Sequence, residues 1–173
     1  MHLRIRAAAT AIVVATVGAV AVPATPASAN VSQGYVTGSG TWTDDWNDEG
    51  PISASTRSYS NVVAMWQKIL VADGYLAASG LDCRFGAVTT AATKRWQSDR
   101  GLVSDGVVGP KTLAKAATRL SRYEDDSWFY YDGLGSNFIY FGRLPDGRWD
   151  MSPGLDLEWE PLSYTSATFN ICS

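Results

Sequence analysis

Asp82-Cys83-Arg84-Phe85-Gly86-Ala87-Val88-Thr89 and Asp105-Gly106-Val107-Val108-Gly109-Pro110-Lys111-Thr112 share one pattern, Asp-x-x-apolar-Gly-x-x-Thr. Each copy closes a loop and opens a helix. The Asp side chain can bond its own downstream backbone, and Gly adopts the positive φ that tight turns need. The apolar residue between them points inward and pins the loop to a core. The Thr then falls in the first turn of the next helix. A second echo accompanies the first: Trp66-Gln67 and Trp96-Gln97 stand 30 positions apart. The result is a two-fold pseudo-repeat, too short for a solenoid.

Helices flank the turns. Ser60 is a good N-cap. Val62, Val63, Trp66, Ile69 and Leu70 then recur at helical spacing on one face, and Gly74 stops the helix. A second helix is expected from Ala87 or Thr89 to Arg100, with Val88, Ala92, Arg95 and Trp96 along one side and Gly101 at its end. A third starts at Pro110, a residue suited to the first helical position, with Leu113, Ala114 and Ala117 inward. Residues 60–120 therefore read as a three-helix unit with a small core that needs bracing.

These stretches resemble the peptidoglycan-binding domain of the three-helix type, found on wall amidases, carboxypeptidases and spore-cortex enzymes. Residues 62–118 carry the likeness, through Val63 to Leu70 with Gly74-Tyr75, Phe85 to Thr89 with Ala92, Trp96-Gln97, Gly101-Leu102 and Asp105 to Leu113. One position departs: the first turn of the family is usually Asp-Gly, and here Cys83 replaces the Gly. The resemblance implies a binding role, no catalysis by this module and a groove that meets glycan or stem peptide. Gln67, Phe85, Gly86, Gly109 and Thr112 are expected to hold turns and packing. Trp66, Arg84, Trp96 and Gln97 are the candidate ligand contacts, because aromatic faces stack on sugars and amide or guanidinium groups bond hydroxyls and carboxylates. Core packing is the competing reading for both tryptophans, and their helical spacing favours it.

The flanks differ in character. Residues 30–59 are Gly-, Ser- and Asp-rich with Trp42 and Trp46 among acids. They read as a loose arm, too polar to bury much surface alone, with a short strand near Tyr35 to Thr41. Residues 121–173 are rich in aromatics and read as an antiparallel meander. Its strands are Trp128 to Tyr131, Asn137 to Phe141 and Arg148 to Met151, with turns at Gly133 to Ser136 and Leu144 to Gly147. Its aromatics suit either a sugar-binding face or a small core packed on the helices, and the core is the preferred reading. The expected fold is α+β: a small three-helix domain with an aromatic-rich antiparallel β extension at the C-terminus.

The first residues read as an export signal. Arg4 and Arg6 precede an apolar run from Ala7 to Val22, and Ala27-Ser28-Ala29 supplies a small-residue cleavage site before Asn30. The run is shorter than the ~20 residues that span a bilayer. The expectation is a secreted, cell-wall-associated monomer with no membrane partner after removal of residues 1–29. The sole histidine, His2, leaves with that segment, which removes His-dependent nucleophile systems and His-ligated zinc. No metal or cofactor is expected. Cys83 and Cys172 are the only cysteines, and in an exported chain such a pair forms a disulfide.

Charge is uneven. Residues 60–120 hold eight bases against four acids, whereas residues 123–173 hold nine acids against two bases. A basic centre between acidic flanks suits an anionic wall, although solvated faces explain the same charges. Nucleic acid is not an expected partner of an acidic, exported chain.

Gly154 to Pro161 is similar to the catalytic strand of chitinase-like glycosidases, in which Glu160 would be the general acid. The pattern departs at Pro153 and Glu158, so an alternating acidic strand is the expected reading. The sequence thus points to non-catalytic binding of peptidoglycan. The alternatives are a carboxylate-dependent wall glycosidase using Glu160 or Glu158 with Asp150 or Asp156, and a protein-interaction or inhibitor module.

Overall fold

The structure, a computed structural model, describes residues 34–123, 128–134, 137–152 and 158–172. The expected export signal, residues 30–33, Gly135, Ser136 and Asp156 lie outside the described residues.

Helix α1 spans Asn61–Ala72 and runs through the middle of the molecule. Val62, Val63, Met65, Trp66, Ile69 and Leu70 are all buried, as the spacing predicts. Ser60 caps it, its side chain accepting from the Val63 N–H at 3.3 Å. The first N–H groups of a helix have no partner inside it. The C-terminal segment supplies them here: the Asn61 N–H donates to Ser166 O at 2.8 Å and that of Val62 to Ser163 O at 3.2 Å. Asn61 adds side-chain bonds to Pro161 O and Thr168.

Helix α2 spans Ala87–Asp99 and α3 spans Pro110–Ala117 with Pro110 in its first turn. The inner face of α2 is rotated from the expected stripe. Thr89, Ala92, Thr93, Trp96 and Gln97 are buried, Arg95 is exposed, and Val88 is 69% exposed. The reason is polar. The Thr89 hydroxyl accepts from Gln67 at 3.0 Å and the Thr93 hydroxyl accepts from Trp66 Nε1 at 2.8 Å, so hydroxyls take places that hydropathy assigns to Val88. In α3 the buried small residues are Ala116 and Ala117, with Ala114 half-buried.

Five strands follow in an antiparallel sheet whose order matches the chain: β1 Leu120–Arg122, β2 Trp128–Asp132, β3 Phe138–Arg143, β4 Trp149–Ser152 and β5 Glu160–Pro161. The three central strands fall where expected, and β1 and β5 extend the meander at its edges. The register pairs Phe129 with Phe141 and Tyr131 with Ile139 on one face. Met151 joins them opposite Phe141. These residues and Trp149 are buried, so this inner face is the core side.

The arm is the main correction to the sequence reading. The first part of the arm packs against the sheet, whereas Ile52, Ser58 and Tyr59 pair with the two turns of the helical unit at Val108, Phe85 and Arg84. Val36 donates to Leu162 O and accepts from Trp149 N–H, both at 2.9 Å, with single bridges at Tyr35 and Thr37 instead of a strand to Thr41. Trp46 is buried, 5.4 Å from Phe141 and 5.6 Å from Trp149, and Trp42 lies 5.4 Å from Phe129. The arm has no core of its own. Its two indoles cover the sheet's apolar inner face, and that shared burial orders it.

Two buried carboxylates join the parts. Asp73, just after α1, accepts from Trp96 Nε1 and from the Tyr131 hydroxyl, each at 2.7 Å, and pairs with Arg100 and Arg119. Helices and sheet thus meet on one side chain. Asp45 in the arm accepts from Trp149 Nε1 and pairs with Arg143, each at 2.9 Å. The expected disulfide is present between Cys83 and Cys172 and ties the C-terminal segment to the first turn.

Candidate functional site

The twin turns share one internal geometry. Gln67 reaches from α1 into the first. Its amide donates to Asp82 Oδ1 at 2.8 Å, Arg84 O at 3.0 Å and Thr89 Oγ1 at 3.0 Å. Its carbonyl accepts from the Cys83 N–H at 2.8 Å. Gln97 reaches from α2 into the second. It donates to Asp105 Oδ1, Val107 O and Thr112 Oγ1 and accepts from the Gly106 N–H at 2.9 Å. Each Asp also accepts from the N–H two residues on, that of Arg84 at 2.9 Å and that of Val107 at 2.8 Å. Phe85 and Val108 are buried beneath the turns.

This geometry relocates three of the four candidate contacts. Gln97 is buried, with its amide saturated by the second turn. Trp66 and Trp96 are fully buried, packed edge-to-face 5.0 Å apart. Their indole N–H groups are satisfied by Thr93 and Asp73. None of the three lies on a surface that a ligand reaches. Two large amphipathic side chains at helical spacing filled the centre of a small core because nothing else there has the volume. Arg84 is exposed, its guanidinium 4.3 Å from the centre of the Tyr59 ring.

The surface offers a groove where α1 passes β3. Lys68, Val71, Ala72, Leu81, Asn137, Phe138, Ile139 and Tyr140 enclose about 360 Å³. It combines one cation, one amide and two ring faces, a mixture suited to a ligand with apolar faces and polar edges. Burial pushes the Lys68 ammonium below its ordinary range. Sequence reasoning missed this groove, because its two walls lie some 70 positions apart.

A second pocket, about 340 Å³, is lined by Thr37, Gly38, Ser39, Asp44, Asp45, Asp48 and Asp146. Beneath it Glu49 is buried, accepting from the Thr37 N–H at 2.8 Å and the Tyr164 hydroxyl at 2.7 Å. Burial raises its carboxyl to about 7, with those two hydrogen bonds opposing. Among the described residues no three His, Cys, Asp or Glu side chains are grouped to hold a metal ion.

Of the carboxylates of the glycosidase alternative, Asp150 and Glu160 lie on opposite faces of the sheet, and Asp156 lies outside the described residues. In β4–β5 the register pairs Glu160 with Met151 and Asp150 with Pro161. Paired residues share a face and neighbours alternate. Glu160 therefore lies on the face of Met151, and Asp150 on the opposite one. Glu160 also accepts from the Thr168 hydroxyl at 2.9 Å, and Glu158 is exposed.

Residues 59–115 match the family described as putative peptidoglycan binding domain, and the chain carries a domain of that family. The zinc D-Ala-D-Ala carboxypeptidase of Streptomyces albus G is 36% identical to this chain over 126 residues, 73% of the chain. The chain spans 43% of that enzyme's length. No solved structure is significantly similar. Histidine and cysteine do not supply a zinc centre here: the one histidine is His2, and both cysteines are joined to each other.

Proposed function

We propose that this protein is an exported, non-catalytic binder of bacterial cell-wall peptidoglycan. The observation that carries the reading is the family membership of residues 59–115, with both Gln-clasped turns of that unit fully formed. The disulfide and the signal-like residues 1–29 support a location outside the cytoplasm. The groove between α1 and β3 is the contact surface in this reading. Lys68 meets stem-peptide carboxylates, and Phe138 and Tyr140 offer ring faces to sugar. Asp150 and Glu160 take opposite faces of the sheet, so this pair does not span one glycosidic bond as the two carboxylates of a glycosidase do.

The test is to mix residues 30–173 with purified insoluble peptidoglycan, sediment it, and assay both pellet and released sugars. Protein in the pellet with no soluble fragments is the expected result, and Lys68→Glu lowers the bound fraction. Protein left in the supernatant refutes wall binding. Soluble sugars that persist in the wild type and vanish in Glu160→Gln refute the non-catalytic part.

A further inference from the structure

The sheet has a second aromatic face. On the side away from the core, β2 presents Trp128 and Tyr130, and β3 presents Phe138, Tyr140 and Gly142. Trp128 is 42% exposed and Phe138 47%. Rings on this side touch one another in series: Tyr123 with Tyr130 at 5.0 Å, and Tyr130 with Phe138 at 5.5 Å. The row runs along two paired strands from Trp128 to Phe138, about 13 Å at the rise of a strand.

At the Trp128 end the row opens into a pocket of about 460 Å³ walled by Trp128, Gly142, Arg143, Leu144, Pro145, Asp150 and Trp159. Trp128 and Trp159 meet edge-to-face at 4.5 Å. Asp150 is 8% exposed, and its Oδ1 has no hydrogen-bond partner among the described residues. Gly142 makes room for it: a Cβ there would stand 2.4 Å from that oxygen. Burial pushes the carboxyl above its ordinary range; the backbone N–H groups of Gly142 and Asp150 itself oppose this through the field they set up, without making a hydrogen bond to Oδ1. A buried acceptor without a donor is unfavourable, and a ligand hydroxyl or amide N–H that reaches it removes the deficit. The neighbouring Arg143 is already paired with Asp45, so the pocket is not primed for an anion.

A pyranose ring has the matching chemistry. Its C–H faces lie flat on indole and phenol rings, and its edge carries hydroxyl donors. We propose that the outer face of the sheet, with Trp128 and Trp159 beside a pocket walled by Asp150, is a second binding site, adjoining the α1–β3 groove through Phe138 and Tyr140, that takes pyranose rings of the wall's amino-sugar glycan strand. The site lies wholly outside residues 59–115, so family membership does not assign it. It rests on the wall-binding reading for the source of the sugar, and on the pocket for the chemistry.

The experiment titrates residues 30–173 with a peptide-free tetrasaccharide of peptidoglycan glycan, and separately with maltotetraose, following tryptophan fluorescence and amide shifts by NMR. Saturable binding of the wall tetrasaccharide is expected, with shifts confined to β2, β3 and β4. Trp128→Ala and Asp150→Ala each weaken it at least tenfold. Trp128 is surface-exposed, so that variant keeps the wild-type melting temperature within a few degrees. If Asp150→Ala fails to fold, Trp159→Ala replaces it. Affinity unchanged in Trp128→Ala and Trp159→Ala overturns the site. Equal or preferential binding of maltotetraose overturns the wall-glycan assignment. Protein that sediments with whole peptidoglycan yet ignores the tetrasaccharide overturns this proposal and leaves the wall-binding reading standing. Failure in both assays removes both.

Discussion

The turn after α1 and the turn after α2 follow one plan and are finished differently. Both are clasped by a Gln from the preceding helix. The second places Gly106 at φ 77°, a left-handed conformation that glycine adopts freely. The first places Cys83 at φ 60° in the equivalent position. A side chain there costs about 1 kcal/mol or more. The same residue carries the bridge to Cys172, 89 positions away. The comparison shows a local conformational loss accepted for a long-range tie, one that brings the segment capping α1 onto the first turn.

Breaking the tie is the largest perturbation. Cys172→Ser should lower stability by about 4–5 kcal/mol on the chain-entropy estimate for a loop of this length, read as a shift in the urea midpoint. Gln97→Ala should follow, at about 3–4 kcal/mol, because it strips a buried turn of several bonds at once. Gln67→Ala should cost visibly less in the oxidised protein and as much as Gln97→Ala after reduction. Equal losses in both states would mean that the bridge does not support the first turn.

A pH series separates the turns from the arm. Glu49 titrates near 7 in the fold and near 4.5 when unfolded, so the folded state holds the extra proton between those values. Stability therefore falls as pH rises from about 4.5 to 7, by on the order of 3 kcal/mol at 1.36 kcal/mol per unit. Glu49→Gln should flatten that slope while leaving the Gln97→Ala effect unchanged. The smallest effect is the sharpest test of the backbone argument. In a Cys172→Ser background, Cys83→Gly should be more stable than Cys83→Ser by about 1 kcal/mol.

Much of the helical unit was legible in the residues. The twin Asp-x-x-apolar-Gly-x-x-Thr runs marked both turns. The positive φ expected at Gly86 and Gly109 falls on Cys83 and Gly106 instead, the motif glycines having φ of −90° and −112°. Ser60 and Pro110 marked helix starts, and the cysteine count marked the bridge. The face of α2 was not, because Val88 outranks Thr89 and Thr93 in hydropathy, and only the partners Gln67 and Trp66 turn those threonines inward. The candidate site was legible least. Aromatic type does not distinguish a ring in the core from a ring in a groove. Trp66 and Trp96 are candidate contacts whose helical spacing favours core packing, and they are interior; the C-terminal aromatics read by preference as core, yet Trp128 and Phe138 are exposed.

What the sequence by itself determined is local: which segments turn, which helices start where, and which strands pair in order, because capping, positive φ and alternation act over a few residues. The tertiary structure alone decided how distant segments complete one another. Trp42 and Trp46 are ordered by the inner face of the sheet, and Asp73 gathers Trp96 from 23 positions away and Tyr131 from 58. Asp150 Oδ1, without a partner among the described residues, occupies space that a side chain on Gly142 opposite it would fill. Burial and hydrogen-bond satisfaction are properties of the assembled neighbourhood, which no single stretch of chain contains.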